Sequence, residues 1–149
     1  MTSQNVSRAR LIALDEDDLA VISAHVQNAT LEVGDIVWRQ DSKRLVIGMT
    51  RLDWEQSLQG VEEPRRLLSA LRFDRVLACK SREIDLQSTE PMTLLGIEFH
   101  SDDPPGGSVI LILAEGGALR LEVECLECEL ADLGEDDLVS DPEAPSAAL

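Results

Sequence analysis

Tyrosine is absent from the 149 residues, and Trp38, Trp54, Phe73 and Phe99 are the whole of the Phe, Trp and Tyr complement. A core must therefore be built from Leu, Ile and Val, and the stacking platforms that hold single-stranded nucleic acid or splayed RNA bases are scarce. Basic residues stop at Arg120. Beyond it the ten acids Glu122, Glu124, Glu127, Glu129, Asp132, Glu135, Asp136, Asp137, Asp141 and Glu143 dominate the end of a chain whose net charge is −16. A field of that sign repels phosphate backbones and anionic lipid surfaces, so neither nucleic acid nor membrane is an expected partner. Three cysteines, Cys79, Cys125 and Cys128, are too few and too unevenly spaced for a disulfide framework. The longest apolar run, Val109 to Ala114, has six residues, where a membrane helix needs about 20. The opening MTSQNVSRARLIALDEDD offers only Leu11 to Leu14 before a block of acids, which is no signal-peptide core. The cytoplasm is the expected compartment.

What is present is mostly β-pattern. VILILAEGGALRLEV, residues 109–123, reads as a hairpin whose two apolar runs meet at Gly116 and Gly117, residues that tolerate the positive φ of a two-residue type I′ turn. That turn sets Ala114 opposite Leu119, Ile112 opposite Leu121, Ile110 opposite Val123 and Ser108 opposite Cys125. The other face then pairs Leu113 with Arg120, Leu111 with Glu122 and Val109 with Glu124. Ile112 is thereby predicted to be core, and Cys125 to continue the apolar face.

Elsewhere, Leu11 to Leu14 suits an edge strand after a frayed stretch at 1–9. Asp15 as N-cap, followed by Glu16, Asp17 and Asp18 in the first turn, predicts a helix over about 16–28 that buries Leu19, Ile22, Val26 and Ala29 and stops near Asn28. Residues 36–39 and 44–52 read as a second hairpin about a polar turn at 41–43, and 55–64 as a loop ending at Pro64. RRLLSALRFDRVLACKSR, residues 65–82, reads as two strand segments bent at Asp74. A polar loop at 81–90, a strand from Met92 to Phe99 and the turn SDDPPGG at 101–107 follow. Leu126, Leu130 and Leu133 fit a short helix stopped by Gly134. The expected organisation is one domain over 1–134 and an acidic, disordered tail at 135–149. The expected class is α+β: an antiparallel sheet or partly open barrel of about seven strands, with an N-terminal helix and a short C-terminal helix, in a pleckstrin-homology-like element order.

Few residues carry readable chemistry. Cys125-Leu126-Glu127-Cys128 is a CxxC at a strand–helix junction, where a redox pair would sit, but Glu122, Glu124, Glu127 and Glu129 surround it and disfavour thiolate. Zinc would have only Cys79, His25 and His100 to complete its set, at no finger spacing. A structural role for the pair fits better, and no metal or cofactor is predicted. His25 and His100 have no nucleophile or orienting acid at a readable spacing, and no phosphate loop or HExxH occurs. Catalysis therefore has no support in the sequence. Against the acidic background, Arg65, Arg66, Arg72, Arg75, Lys80 and Arg82 face only Asp74 within 65–82. Arginine recognises carboxylate and phosphate bidentately, so this segment is the candidate docking or anion-binding face. The simpler alternative is an exposed strand edge protected by charge and paired with the chain's own C-terminal acids.

RLIALDEDDLAVISAHVQNATLEVGDI, LRFDRVLACKSREIDL and PPGGSVILILAEGGALRLEVECLECELADLG together resemble a family of small acidic bacterial proteins, chiefly alphaproteobacterial, catalogued as a domain of unknown function. The resemblance spans roughly residues 8 to 134. It implies a one-domain cytosolic protein and brings no activity, cofactor or catalytic residue with it. The expected function is a non-catalytic protein-interaction module, meeting a protein partner or a second copy of itself. The competing expectation is a binder of small anions, or an enzyme, with a pocket in the sheet.

Overall fold

Alternation of buried and exposed side chains runs through almost every segment from Arg10 onward, and a computed structural model shows why. The structure describes residues 10–54, 58–60, 62 and 65–135. The stretch at 1–9 expected to fray, most of the expected loop at 55–64 and the residues beyond 135 lie outside the described residues. Ten strands are present: β1 (Arg10–Ala13), β2 (Ala29–Leu31), β3 (Ile36–Arg39), β4 (Arg44–Leu52), β5 (Arg66–Phe73), β6 (Val76–Arg82), β7 (Met92–Asp103), β8 (Gly106–Leu113), β9 (Ala118–Val123) and β10 (Cys128–Glu135). They form one antiparallel sheet in the order β1-β10-β5-β4-β2-β7-β8-β9-β6, with β3 also paired to β4. The sheet is open, with β1 and β6 at its ends. Ala13 of β1 and Val76 of β6 nevertheless lie in the same buried cluster, so the twisted sheet curls round one core. No helix among the described residues is long and apolar enough to cross a membrane.

The helix α1 (Glu16–His25) plugs that core. Asp15 caps it as expected, its Oδ1 accepting the Asp18 N–H at 2.9 Å, and Leu19, Ile22, Val26 and Ala29 are all buried. The chain leaves through Asn28 at φ 65°, whose N–H reaches the Leu94 carbonyl at 2.7 Å. Ser23 Oγ accepts the Ile97 N–H at 2.9 Å and ties the helix to β7. The β3–β4 hairpin and the break at Asp74 between β5 and β6 also stand where the pattern put them.

Three expectations are corrected. About seven strands become ten, partly because β2 is too short to read by alternation. The C-terminal helix is a strand: Cys128, Leu130 and Asp132 face inward while Leu133 is exposed. A helix there would have put Asp132 near a C-terminal dipole with no cation to offset it, whereas the edge of β5 offers a ladder from Cys128 opposite Phe73 to Asp132 opposite Ser69. The element order of seven strands and a final helix therefore does not hold. β10 runs to Glu135, which pairs with Leu67.

The hairpin register is the third. A 3-10 turn at Ala114–Gly116 makes the reversal, with Glu115 at φ 65° and Gly116 at φ 85°, and the Leu113 N–H reaches the Gly117 carbonyl at 2.8 Å. Ile112 therefore faces Ala118, Leu111 faces Leu119, Val109 faces Leu121 and Ser108 faces Glu122. The shift is odd, so every β8 side chain changes face. Val109, Leu111 and Leu113 are buried, Ile110 and Ile112 point outward, and Cys125 lies beyond the strand. Leu111→Ala should accordingly cost about 2–5 kcal/mol, and Ile112→Ala clearly less. Urea unfolding of the two variants checks this; an Ile112 loss as large as that of Leu111 would overturn the observed register.

Candidate functional site

Strand β5 cannot be the exposed edge considered above, because β4 and β10 flank it on both sides. Its alternation sends Leu67, Ser69, Leu71 and Phe73 inward and Arg66 and Arg72 outward. Arg72 meets Asp74 Oδ2 at 3.0 Å and Glu129 Oε1 at 2.6 Å. Arg10 bonds the other Glu129 oxygen and Arg44 Nε the other Asp74 oxygen at 2.7 Å, so two acids hold three arginines in a lattice on the outer face. Arg65 Nε pairs with Asp53 Oδ2 at 2.9 Å, Arg66 Nη2 reaches Thr30 Oγ1 at 3.4 Å, and Arg75, at φ 63° in the turn, lies 3.8 Å from Glu127 Oε1. Lys80 and Arg82 stand exposed on β6, opposite Arg120 and Ala118, and make no ion pair among the described residues. The six cations are thus not brought together. None of them lines the open clefts of about 430, 550 and 320 Å³ whose walls include Pro105, in the first two, and Ile97, in the third.

The most enclosed charge is one that sequence reasoning passed over. Arg51 and Asp132 have side chains 4% and 0% exposed and form a bidentate pair, Nε to Oδ1 at 2.9 Å and Nη2 to Oδ2 at 2.7 Å. Ser69 donates its Oγ–H to Asp132 Oδ1 at 2.6 Å. Arg51 Nη1 donates to the carbonyls of Leu52 at 3.2 Å and His25 at 3.5 Å, placing the guanidinium at the C-terminal end of α1, where the helix dipole favours a cation. The cluster joins β4, β5, β10 and α1. A signal was available: Arg51 follows Leu45, Ile47 and Met49 in the inward phase of β4. Ser69 is 0% exposed and its acceptor is already held by Arg51, so its hydroxyl serves as a donor in the clamp.

On the outer face, His100, Ser108 and Glu122 occupy one cross-strand row. The row contains the residue types of a catalytic triad without its wiring. Ser108 Oγ donates to Glu122 Oε1 at 3.0 Å and accepts from Arg120 Nη2 at 3.2 Å, while His100 Nε2 bonds Glu98 Oε1 at 3.0 Å. Burial acts to raise the Glu122 pKa, but hydrogen bonds from Arg120 and Ser108 and the charges of Arg120 and Lys80 outweigh it and hold the carboxyl below its ordinary value.

The CxxC spans a turn that enters a strand, so neither thiol sits at a helix N-terminus. Cys128 lies in the core, where burial pushes its thiol far above the ordinary range; Arg72 opposes that shift and Glu129 and Asp74 add to it. Burial also raises the Cys79 thiol. Cys125 is half-buried in the turn. Among the described residues no three His, Cys, Asp or Glu side chains are placed to hold a metal ion.

An open antiparallel sheet curled on one helix, with most of its arginines bonded to its own acids, defines a small α+β domain. The chain belongs to the DUF2948 family of proteins of unknown function, whose model matches residues 9–146. No curated protein and no solved structure matches it.

Two outcomes follow from this geometry. Arg51→Met removes the guanidinium from the buried Asp132 carboxylate and should cost about 3–5 kcal/mol, much of it recovered by adding Asp132→Leu; a single-variant loss below about 1 kcal/mol in urea would mean that the pair is solvated. Glu122 has a lowered folded pKa, so its contribution is present above the ordinary 4.5 and is lost as pH falls through the lower folded value. The thermal midpoints of Glu122→Gln and the native chain should therefore differ at neutral pH and converge in acid, and a constant gap would contradict the linkage.

Proposed function

We propose that this chain is a non-catalytic protein-interaction module of the bacterial cytoplasm. One observation carries the reading: of the six cations in 65–82, Arg65, Arg66, Arg72 and Arg75 are bonded within the fold, while among the described residues Lys80 and Arg82 stand without ion pairs on the strand that ends the sheet. That leaves backbone groups of β6 for an extended segment to pair with, and the two cations favour an acidic one. The same charges resist antiparallel pairing of β6 with a second copy, because like charges would be brought close. An acidic partner segment is thus preferred over self-association at this edge.

The rival reading, a small anionic ligand, is left the same two side chains at this edge, since none of the six cations lines the clefts around Pro105 or the one beside Ile97. Pull-downs from extract of the source bacterium separate the cases. Native chain and Arg72→Gln should retain a salt-sensitive partner that Lys80→Glu/Arg82→Glu loses. Equal capture by all three would remove β6 from the account. A phosphate or carboxylate that raises the thermal midpoint of the native chain but not of the β6 variant would move the reading to a small ligand.

A further inference from the structure

A second surface, opposite in sign, surrounds the turn Pro104–Pro105 between β7 and β8. Clefts of about 550 and 430 Å³ meet at Pro105. Leu14, Phe99 and Leu126 give the first an apolar lining, and Leu77 gives it to the second. Leu14 is 64% exposed and Leu77 49% exposed. A bulge at Val76/Ala78 leaves Leu77 without a ladder partner, which accounts for its outward position. Single exposed leucines are ordinary surface, but two of them beside concave apolar walls form a patch of the kind that binds.

The rim of this patch is acidic. Asp15, Glu16 and Asp17 border one cleft and Asp102, Asp103, Glu124 and the Arg120-bound Glu122 the other, and among the described residues no Lys or Arg lines either. Acids elsewhere in the fold, such as Asp74, Glu129 and Asp132, are held by arginines. Here Glu16, Asp17, Asp102 and Asp103 have no ion pair among the described residues. Glu124 uses Oε2 for Lys43 at 3.3 Å, and its Oε1 is buried without a hydrogen-bond partner. Uncompensated charge and exposed apolar surface therefore coincide at one place, where each would be relieved by a ligand carrying both cations and apolar groups.

We infer that the clefts around Pro104–Pro105 dock a basic amphipathic segment of a partner protein, one in which Lys or Arg is interspersed with Leu-like side chains. The apolar side chains fill the walls beside Leu14, Phe99 and Leu77, while long basic stems cross the rim and place their charges on its carboxylates. A chain of net charge −16 steers such a segment toward itself and repels acidic competitors. The inference does not depend on the β6 reading, since Lys80 and Arg82 border neither cleft.

The test uses the full chain and three labelled twelve-residue peptides, of alternating Lys and Leu, Lys and Ser, and Glu and Leu, followed by fluorescence anisotropy. The Lys/Leu peptide should bind at least about tenfold more tightly than Lys/Ser, with Glu/Leu not binding. Leu14→Gln/Leu77→Gln, both exposed positions that folding should tolerate, should weaken Lys/Leu binding about tenfold at unchanged net charge. Asp102→Asn/Asp103→Asn should weaken it and flatten its salt dependence, and Lys80→Glu/Arg82→Glu should leave it intact. Bound peptide should also slow alkylation of Cys125, which lines the larger cleft. Equal affinity for Lys/Leu and Lys/Ser, indifference to the leucine substitutions, or unprotected Cys125 would each overturn the inference, leaving only diffuse attraction between opposite charges. Sedimentation showing that the peptide-free chain dimerises through Leu14 and Leu77 would overturn it in favour of a second copy.

Discussion

The ion pair between Arg51 and Asp132 is the contact on which the arrangement of this fold most depends. Its members lie 81 positions apart in the chain and, with Ser69, come from three strands that are neighbours in the sheet. Net stability is a poor explanation for it, because taking two charges out of water costs about as much as their attraction returns. Specificity is a better one. An odd register shift of β4 or β10 against β5 would turn one member outward and leave the other buried alone, a state costing several kcal/mol more than the native pairing. The apolar residues along these strands supply hydrophobic stabilisation in several alternative registers. The charged pair is satisfied in one.

Acids serve two purposes in this chain, and the structure separates them by partner. Glu127, Glu129 and Asp132 come from the segment that contains no base, and they are the counter-charges of Arg75, of Arg10 and Arg72, and of Arg51. The imbalance along the sequence is thus largely a consequence of topology: β10 inserts between β1 and β5 and places its carboxylates beside arginines from earlier strands. A charge run in sequence becomes an alternating lattice in space. Around Pro104–Pro105, Glu16, Asp17, Asp102 and Asp103 make no ion pair among the described residues, and neither do Lys80 and Arg82. Compensation within the fold is therefore what distinguishes charge that builds the domain from charge left for a partner.

The same separation explains what could be read in advance. α1 was legible because its signal is local: Asp15 caps it, three acids follow, and the buried stripe has one period. The break between β5 and β6 was legible from the change in pattern at Asp74. β8 was not, since VILIL is apolar on both faces and either could be core; a three-residue turn with Glu115 in the left-handed region decided it. β10 was misread because Leu126, Leu130 and Leu133 have helical spacing, and only the open edge of β5 makes the strand the better solution. Of the candidate site, the sequence contained the cations and pointed to Asp74 and the C-terminal acids as counter-charges, but not to Asp53 or to which acid meets which arginine. Arg51 was readable in principle, as a charge in the inward phase of β4, but its partner lay far along the chain.

Strand β6 connects the two surfaces that remain. It begins at Val76 beside the acidic clefts, where Leu77 is turned outward by the bulge, and ends at Arg82. At about 3.3 Å per residue, the five steps from Leu77 to Arg82 span roughly 16 Å, within the reach of one extended peptide. A segment lying along β6 and continuing into the clefts would therefore meet opposite fields in succession, cationic at one end and anionic at the other. Of segments that cover both surfaces, uniformly basic and uniformly acidic ones would each be repelled at one end, whereas shorter ones meet a single field. A charge-segregated segment is attracted at both, and in one orientation only. Backbone pairing along an edge is indifferent to sequence by itself, so on this strand selectivity and polarity of docking would come from the flanking charges.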